Sequence, residues 1–563
     1  AAGVLHTNPR LVRLPNDTIL GPYQRLFAGQ LALFEERPDE GFAGAKKTYS
    51  TLKLFDKLDQ DNKNVVDQKA LLRARLLDML IGDWDRHDDQ WRWAAFEEGK
   101  HTIFKAIPRD RDQAFFVSQG VLPKIVSRKW ILPKVQGFDY KIRDVNTFNF
   151  NARYVDRAFL TQLSQQDWQE TASLLQQSIS DSLIDESIKK LPNNDPFTSE
   201  IAAKLKQRKK DLLAYASEYY KFLAKEVDVV ASDKDEIIDI ERLADGNTSV
   251  KLFDQTKKGK QGTLLYQRIF DPKDTKEIRV WGMDGEDVFH VYGKANKGIK
   301  VRLIGGKGKD TFIDSSEVEK GARKTLIYDK KKNTTIQAGE ETVNHTTEND
   351  KHINDLDRFA FVYDRLAPLG SLAYNPDDGL FLGGGVQYTQ QGFRKSPFRM
   401  QHSLSGNYAF STNAFNLYYV GKAVDVIGKA DLEVKLTLQQ DGLTDNFFGL
   451  SNESRYIQAR GIEYYRVKFS NLENSVLLSN NWGPLKLYYG LVFNGYNVKE
   501  NARRYIAEYA PKGSPVYDEQ DFYGVRTGFT VDTRNNPVMT TRGLKWNTEA
   551  TFQKAFEHNY KDD

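Results

Sequence analysis

Between residues 65 and 81 the apolar positions recur with a helical period. Val66, Ala70, Leu77 and Leu80 share one face, and Leu72, Leu76 and Met79 occupy its neighbour. So wide an apolar arc predicts a helix buried on most sides. Residues 167–225 read as two or three further helices, interrupted at LPNNDP (191–196), where Asn-Asn-Asp-Pro cannot continue a helical turn. From about Val227 the period changes to alternation, the mark of strands. Two stretches there are copies: GMDGEDVF (282–289) and GGKGKDTF (305–312) both fit G-[GM]-x-G-x-D-x-F, 23 residues apart. A repeat of that kind predicts stacked, solenoid-like or sandwich-like β structure. Residues 330–351 are polar and read as a linker.

From about Asp357 onward, strand-length segments follow one another with no helical pattern between them. Phe398, Met400, Leu404, Tyr408 and Phe410 alternate with polar or small residues, as do Leu432, Val434, Leu436 and Leu438, then Leu487, Tyr489, Leu491 and Phe493. Such segments are the pattern of a transmembrane β-barrel, and a soluble β-sandwich has the same period. The expected fold class is a multidomain α+β region followed by all-β. A helix-rich domain covers 1–226, a small β-rich domain with the two glycine-Asp repeats covers 227–350, and an antiparallel β region covers 351–563.

Composition narrows the function. Among 563 residues, 81 Lys and Arg face 77 Asp and Glu, a net charge of +4 that argues against a nucleic-acid partner. Cysteine is absent, which removes disulfides, thiolate metal sites and cysteine nucleophiles, and fits an oxidising compartment. Mean hydropathy is −0.60 and no long apolar run exists, so no transmembrane helix is expected. The ends, Ala1-Ala2-Gly3 and EHNYKDD, carry no signal peptide, and the chain reads as a fragment of something longer.

The segment VDTRNNPVMTTRGLKW (531–546) resembles the D-x-R-x-x-P…T-x-G element of BamA-like outer-membrane barrels, the bacterial surface-antigen family. NFFGLSNES (446–454) resembles a loop of its Bacteroidetes members. On this resemblance Asp532 and Arg534 pair near a tight turn inside a polar lumen, and Pro537 and Gly543 shape the hairpin. The nine or ten strands legible here are fewer than the family uses, and its V-R-G-[YF] loop is missing, so the expected transmembrane barrel is incomplete. The resemblance implies an outer-membrane protein in contact with lipid and with other outer-membrane or periplasmic subunits. Its large soluble region would be periplasmic, with a role in protein assembly, export or scaffolding. Relatives often begin with a calcineurin-like metallophosphoesterase domain, whose G-N-H-D motif this chain lacks.

Candidate chemistry concentrates in LIGDWDRHDDQWRWAAF (80–96) and FKAIPRDRDQAFF (104–116). These resemble the D-R-x-x-x-N…D-N-G-x-x-F pattern of atypical kinases of the phosphoinositide-kinase and secretory-pathway type. The resemblance places Asp85 as catalytic base beside Arg86, Gln90 and Asp110 as ligands of Mg²⁺, and Phe115 as the trailing aromatic. It implies a Mg-dependent periplasmic phosphotransferase as the alternative function. Departures are Gln90 in place of Asn, Asp112 in place of Gly, and no glycine-rich phosphate loop. Lys46, Lys47 and Lys53 are equal candidates for the phosphate lysine, and LALFEERPDE (31–40) for a hinge strand. The competing reading is an ion-pair network of Asp83, Asp85, Arg86 and Asp110. His87 is read as an ion-pair partner or a lone transition-metal ligand. The glycine-Asp copies resemble the RTX nonapeptide, which implies Ca²⁺ at Asp287 and Asp310; the alternative is two β-turns with Phe289 and Phe312 pointing inward. SRKWILPK (127–134) reads as a half-buried strand.

Overall fold

Asp67 decides where the first long helix begins. Its side chain accepts from Ala70 N at 2.9 Å, a cap that starts the helix at Gln68 and leaves Asn64–Val66 as a strand. The computed structural model describes all residues except 119, 129, 191–197, 322, 349–353, 441, 451, 453 and 557–563. It is mixed α/β and divides into two compact units, Ala1–Phe361 and Val362–Asp563.

In the first unit the helix Gln68–Ile81 packs against Gln165–Ser178 and Thr198–Ala224, and against a sheet of Lys47–Ser50, Trp91–Glu98, His101–Pro108 and Asn64–Val66. Leu71, Leu72, Leu76 and Met79 are fully buried there with Trp91, Trp93, Trp168 and Tyr219. The break expected at LPNNDP lies outside the described residues; helices Asp181–Ile188 and Thr198–Ala224 flank it. The helix Val121–Val126 runs into SRKWILPK, whose described residues form turns and bends rather than a strand, with Pro133 unable to donate to a sheet ladder.

The glycine-Asp copies stack in parallel. Ile278 pairs with Val227 on one side and Val301 on the other, in a sheet of five parallel strands. In the facing sheet Phe289 pairs with Ile238 and Phe312, and Phe312 with Ile336. Each coil therefore lays its inward residues on those of the next, and the Phe289 and Phe312 rings stack with centroids 4.7 Å apart. The stack runs into the region expected to be a linker: Thr335–Gln337 and Thr342–Asn344 are strands, because Ile336 and Val343 continue the ladder.

The second unit is a ten-stranded antiparallel sheet in which sequence neighbours pair throughout, with the short strand Thr444–Asn446 attached to Arg466–Trp482. The end strands Arg365–Asn375 and Lys545–Ala555 each have one partner among the described residues, so the sheet is open. Alternation gives it two unlike faces. One carries a cross-strand row Val434–Val476–Leu491–Val525–Phe552. The last four of these are 47%, 65%, 50% and 66% exposed. The other face carries the ion pairs Lys435–Glu433 (2.8 Å) and Arg526–Glu549 (3.3 Å), with Asn471, Ser475, Ser479 and Asn494 buried. No helix among the described residues is long and apolar enough to cross a membrane.

Candidate functional site

The helix Gln68–Ile81 ends at Gly82, and the turn that follows delivers Asp83, Asp85, Arg86 and His87 before the short 3-10 turn Asp88–Gln90 leads into the strand Trp91–Glu98. Arg86 is fully buried. It reaches Asp78 and Asp83, each at 3.4 Å, donates to the carbonyls of Arg109 (2.6 Å) and Gln90 (2.9 Å), and lies 4.5 Å from the Trp91 ring centroid. Asp78 also receives Arg75 (2.7 Å) and Arg111 (2.5 Å), and Arg75 continues to Asp156 (2.9 Å), which accepts from Tyr219 (2.8 Å). Three guanidinium groups and three carboxylates thus form one largely buried network. Burial, reinforced by the neighbouring Asp78, pushes Asp83 up to about 7 despite Arg86 and Arg111. Burial alone would lower Arg75, but Asp156 and Asp78 hold it above its ordinary value.

Of the expected network residues, Asp83 and Arg86 belong to it; Asp85 and Asp110 do not. Asp85 accepts from the Asn151 amide, whose oxygen accepts from Lys134 at 3.1 Å. Asp110 sits exposed in the left-handed region (φ 51°) and accepts from Gln90 Nε2 at 3.2 Å. Gln90 Nε2 is also 3.3 Å from His87 Nε2, and Asp88 pairs with Arg358 at 2.6 Å. The Gln90–Asp110 contact is an amide N–H donated to a carboxylate. Among the described residues no three His, Asp or Glu side chains converge on a point where a metal would sit.

Sequence reasoning passed over Asp78, Arg75 and Asp156. The signal was present: Arg75 and Asp78 stand three apart inside the helix expected to be buried nearly all round, and charges buried there must pair.

Compared with known protein families and with curated proteins, the chain matches no family model and no curated sequence.

The second candidate site runs along the solenoid turns. Glu236, Asp287 and Asp310 occupy successive coils: Glu236 N donates to Asp287 Oδ1 at 2.8 Å, and Asp287 N to Asp310 Oδ1 at 3.0 Å. Asn62 Nδ2, from outside the stack, donates to Glu236 Oε1 at 3.0 Å. Oδ2 of both aspartates is buried with no hydrogen-bond partner among the described residues. Burial, with Glu236 and Asp310 beside it, pushes Asp287 up to about 10; burial also raises Asp310 and Glu236, each to about 7. Each aspartate spends Oδ1 on the backbone of the preceding coil, and among the described residues no group of three or more His, Asp or Glu side chains is placed to hold a metal ion.

In the second unit Arg534 grips Asp532 through two bonds, Nε to Oδ1 at 2.9 Å and Nη2 to Oδ2 at 2.8 Å, and donates from Nη1 to the Pro537 carbonyl at 3.1 Å. Gly543 adopts φ 92°, where a Cβ would overlap the Thr533 carbonyl. The connection is a loop over 533–544 rather than a tight turn. Phe447 and Phe448 of NFFGLSNES join Tyr456, Tyr465, Tyr505 and Tyr509 in an aromatic cluster, with Tyr465 fully buried; residues 451 and 453 of that segment lie outside the described residues.

Proposed function

We propose that the chain is an outer-membrane protein of the BamA-like type. Its C-terminal sheet is part of a transmembrane barrel, and its first unit is a periplasmic region serving protein assembly or export, or acting as a scaffold in an outer-membrane complex. The row Val476–Leu491–Val525–Phe552 carries the reading: four consecutive strands turn large apolar side chains outward while the reverse face keeps ion pairs and amides. Water disfavours such a row, whereas lipid on one side and a polar lumen on the other suit both faces. Loop length supports it in part: the end where Arg365–Asn375 begins carries the two-residue turns 428–429 and 483–484 together with 391–399 and 533–544, and the other end carries the two longest connections, 440–465 and 499–519, together with 376–378 and 410–413. Outer-membrane barrels put short turns in the periplasm and long loops outside.

The test is fractionation and topology in Gram-negative cells. The protein should sediment with the outer membrane. An epitope inserted after Lys512 should be reached on intact cells, and one inserted after Gly428 only after permeabilisation. Recovery in the soluble fraction, or the reverse accessibility, would reject the reading.

A further inference from the structure

Residues 117–134 hold four cations, Lys124, Arg128, Lys129 and Lys134, and no carboxylate, in a chain whose charges otherwise nearly balance. The apolar residues between them face outward. Val121 and Leu122 are each 74% exposed, Ile125 45%, Trp130 38%, Ile131 39% and Leu132 47%. Lys124 and Arg128 are exposed among them. The base of the segment is fixed. Ser127 is buried and its carbonyl accepts from Arg143; Gln136 is buried, donating to Asp144 O at 2.8 Å and accepting from Asp144 N at 3.1 Å. Lys134 is turned inward onto Asn151 and the Trp84 ring. A pinned segment thus presents an apolar tip rimmed by cations.

We infer that the described residues 120–128 and 130–132 form an interfacial surface that seats Val121, Leu122, Ile125 and Ile131 at the headgroup–acyl boundary of an anionic phospholipid leaflet. The chemistry selects this partner over a protein. Apolar side chains interleaved with lysine and arginine and carrying a tryptophan suit the amphipathic gradient of a bilayer surface. The absence of any acid in the segment matches a negatively charged surface, where each cation adds about fivefold to the docked population. The inference does not need the barrel reading: the loop can dock whether the second unit spans the membrane or not.

Because the chain has no cysteine, single labels are specific. The full chain carrying Leu122→Cys, labelled with an environment-sensitive fluorophore, is reconstituted with phosphatidylcholine vesicles with and without phosphatidylglycerol. Leu491→Cys on the apolar sheet face and Ser182→Cys on the exposed helix Asp181–Ile188 serve as references. The Leu122 label should shift to the blue and be quenched by shallow nitroxide lipids, more so with phosphatidylglycerol. Adding Lys124→Gln and Arg128→Gln should weaken vesicle binding, read as the lipid concentration for half-maximal quenching, by about 25-fold. A Leu122 label as aqueous as that at Ser182 overturns the inference. So does a label shielded from water but not quenched by lipid, which would mean a protein contact. An aqueous Leu491 label defeats the barrel reading alone, and the Leu122 signal still decides the loop.

Discussion

Asp287 gives one carboxylate oxygen to the backbone amide of Glu236 at 2.8 Å and keeps the other buried without a partner. A carboxylate so placed favours its protonated form, and burial pushes it from 3.8 up to about 10. The folded chain therefore holds a proton that the unfolded chain releases near pH 4. Stability from this group is full below that pH and is lost as pH rises towards 10. Asp310 and Glu236, raised to about 7, act in the same direction over a narrower window. Asp287→Asn keeps the acceptor for Glu236 and cannot ionise, so it should raise the melting temperature at pH 8 and flatten its decline between pH 5 and 9. Melts across that range check this; a variant less stable at every pH would mean the carboxylate itself is required.

The buried network and the neighbouring acids separate by mutation. Arg86→Met leaves Asp78 and Asp83 short of a partner in the core and should cost about 3–5 kcal/mol. Asp110→Asn, on an exposed residue, should stay within about 0.5 kcal/mol. Denaturant titration of the purified variants compares them directly, and equal losses would contradict the division of roles.

Which parts of this fold the sequence disclosed follows from how local each signal is. The alternation in 430–438 and 485–493 is written into strands that pair with their sequence neighbours, so the antiparallel sheet was legible. The stacking of Phe289 on Phe312 was legible as a repeat, because parallel coils reuse one pattern. Residues 330–351 read as a linker in sequence because the strands within them, 335–337 and 342–344, are three residues long and gain their partners only from the preceding coil. The network centre escaped for the same reason. Asp78 meets Arg75 within one helix, but Arg86, Arg111 and Asp156 reach it only through the tertiary fold. The D-W-D-R-H segment drew attention to Asp85, whereas the fold puts Asp83 and Arg86 in the core and leaves Asp85 with Asn151.

Gly308 marks where two coils touch. It lies at φ 148°, and a Cβ there would overlap the Gly285 carbonyl of the preceding coil. Gly308→Ala must either part the coils or shift the turn that carries Asp310, at a cost of a few kcal/mol, on the order of other strained backbone positions. Hydrogen exchange should then show faster exchange at Asp287 N and Thr311 N, whose acceptors cross between these coils. Unchanged protection would mean the backbone yields at little cost.

Leu491 decides between lipid and water on the sheet. It is 65% exposed, flanked by Val476 and Val525 on the neighbouring strands. If the face meets acyl chains, Leu491→Arg near mid-strand should cost about 2–4 kcal/mol of membrane-embedded stability. If it meets water, the same change should be neutral or improve solubility, since it breaks an exposed apolar patch. Glu473→Arg, one strand away on the polar face, controls for charge introduced without entering lipid. Folding titrations in vesicles should therefore show a large loss for Leu491→Arg and a small one for Glu473→Arg. The opposite ranking would place the apolar row in water and reject a lipid-facing sheet.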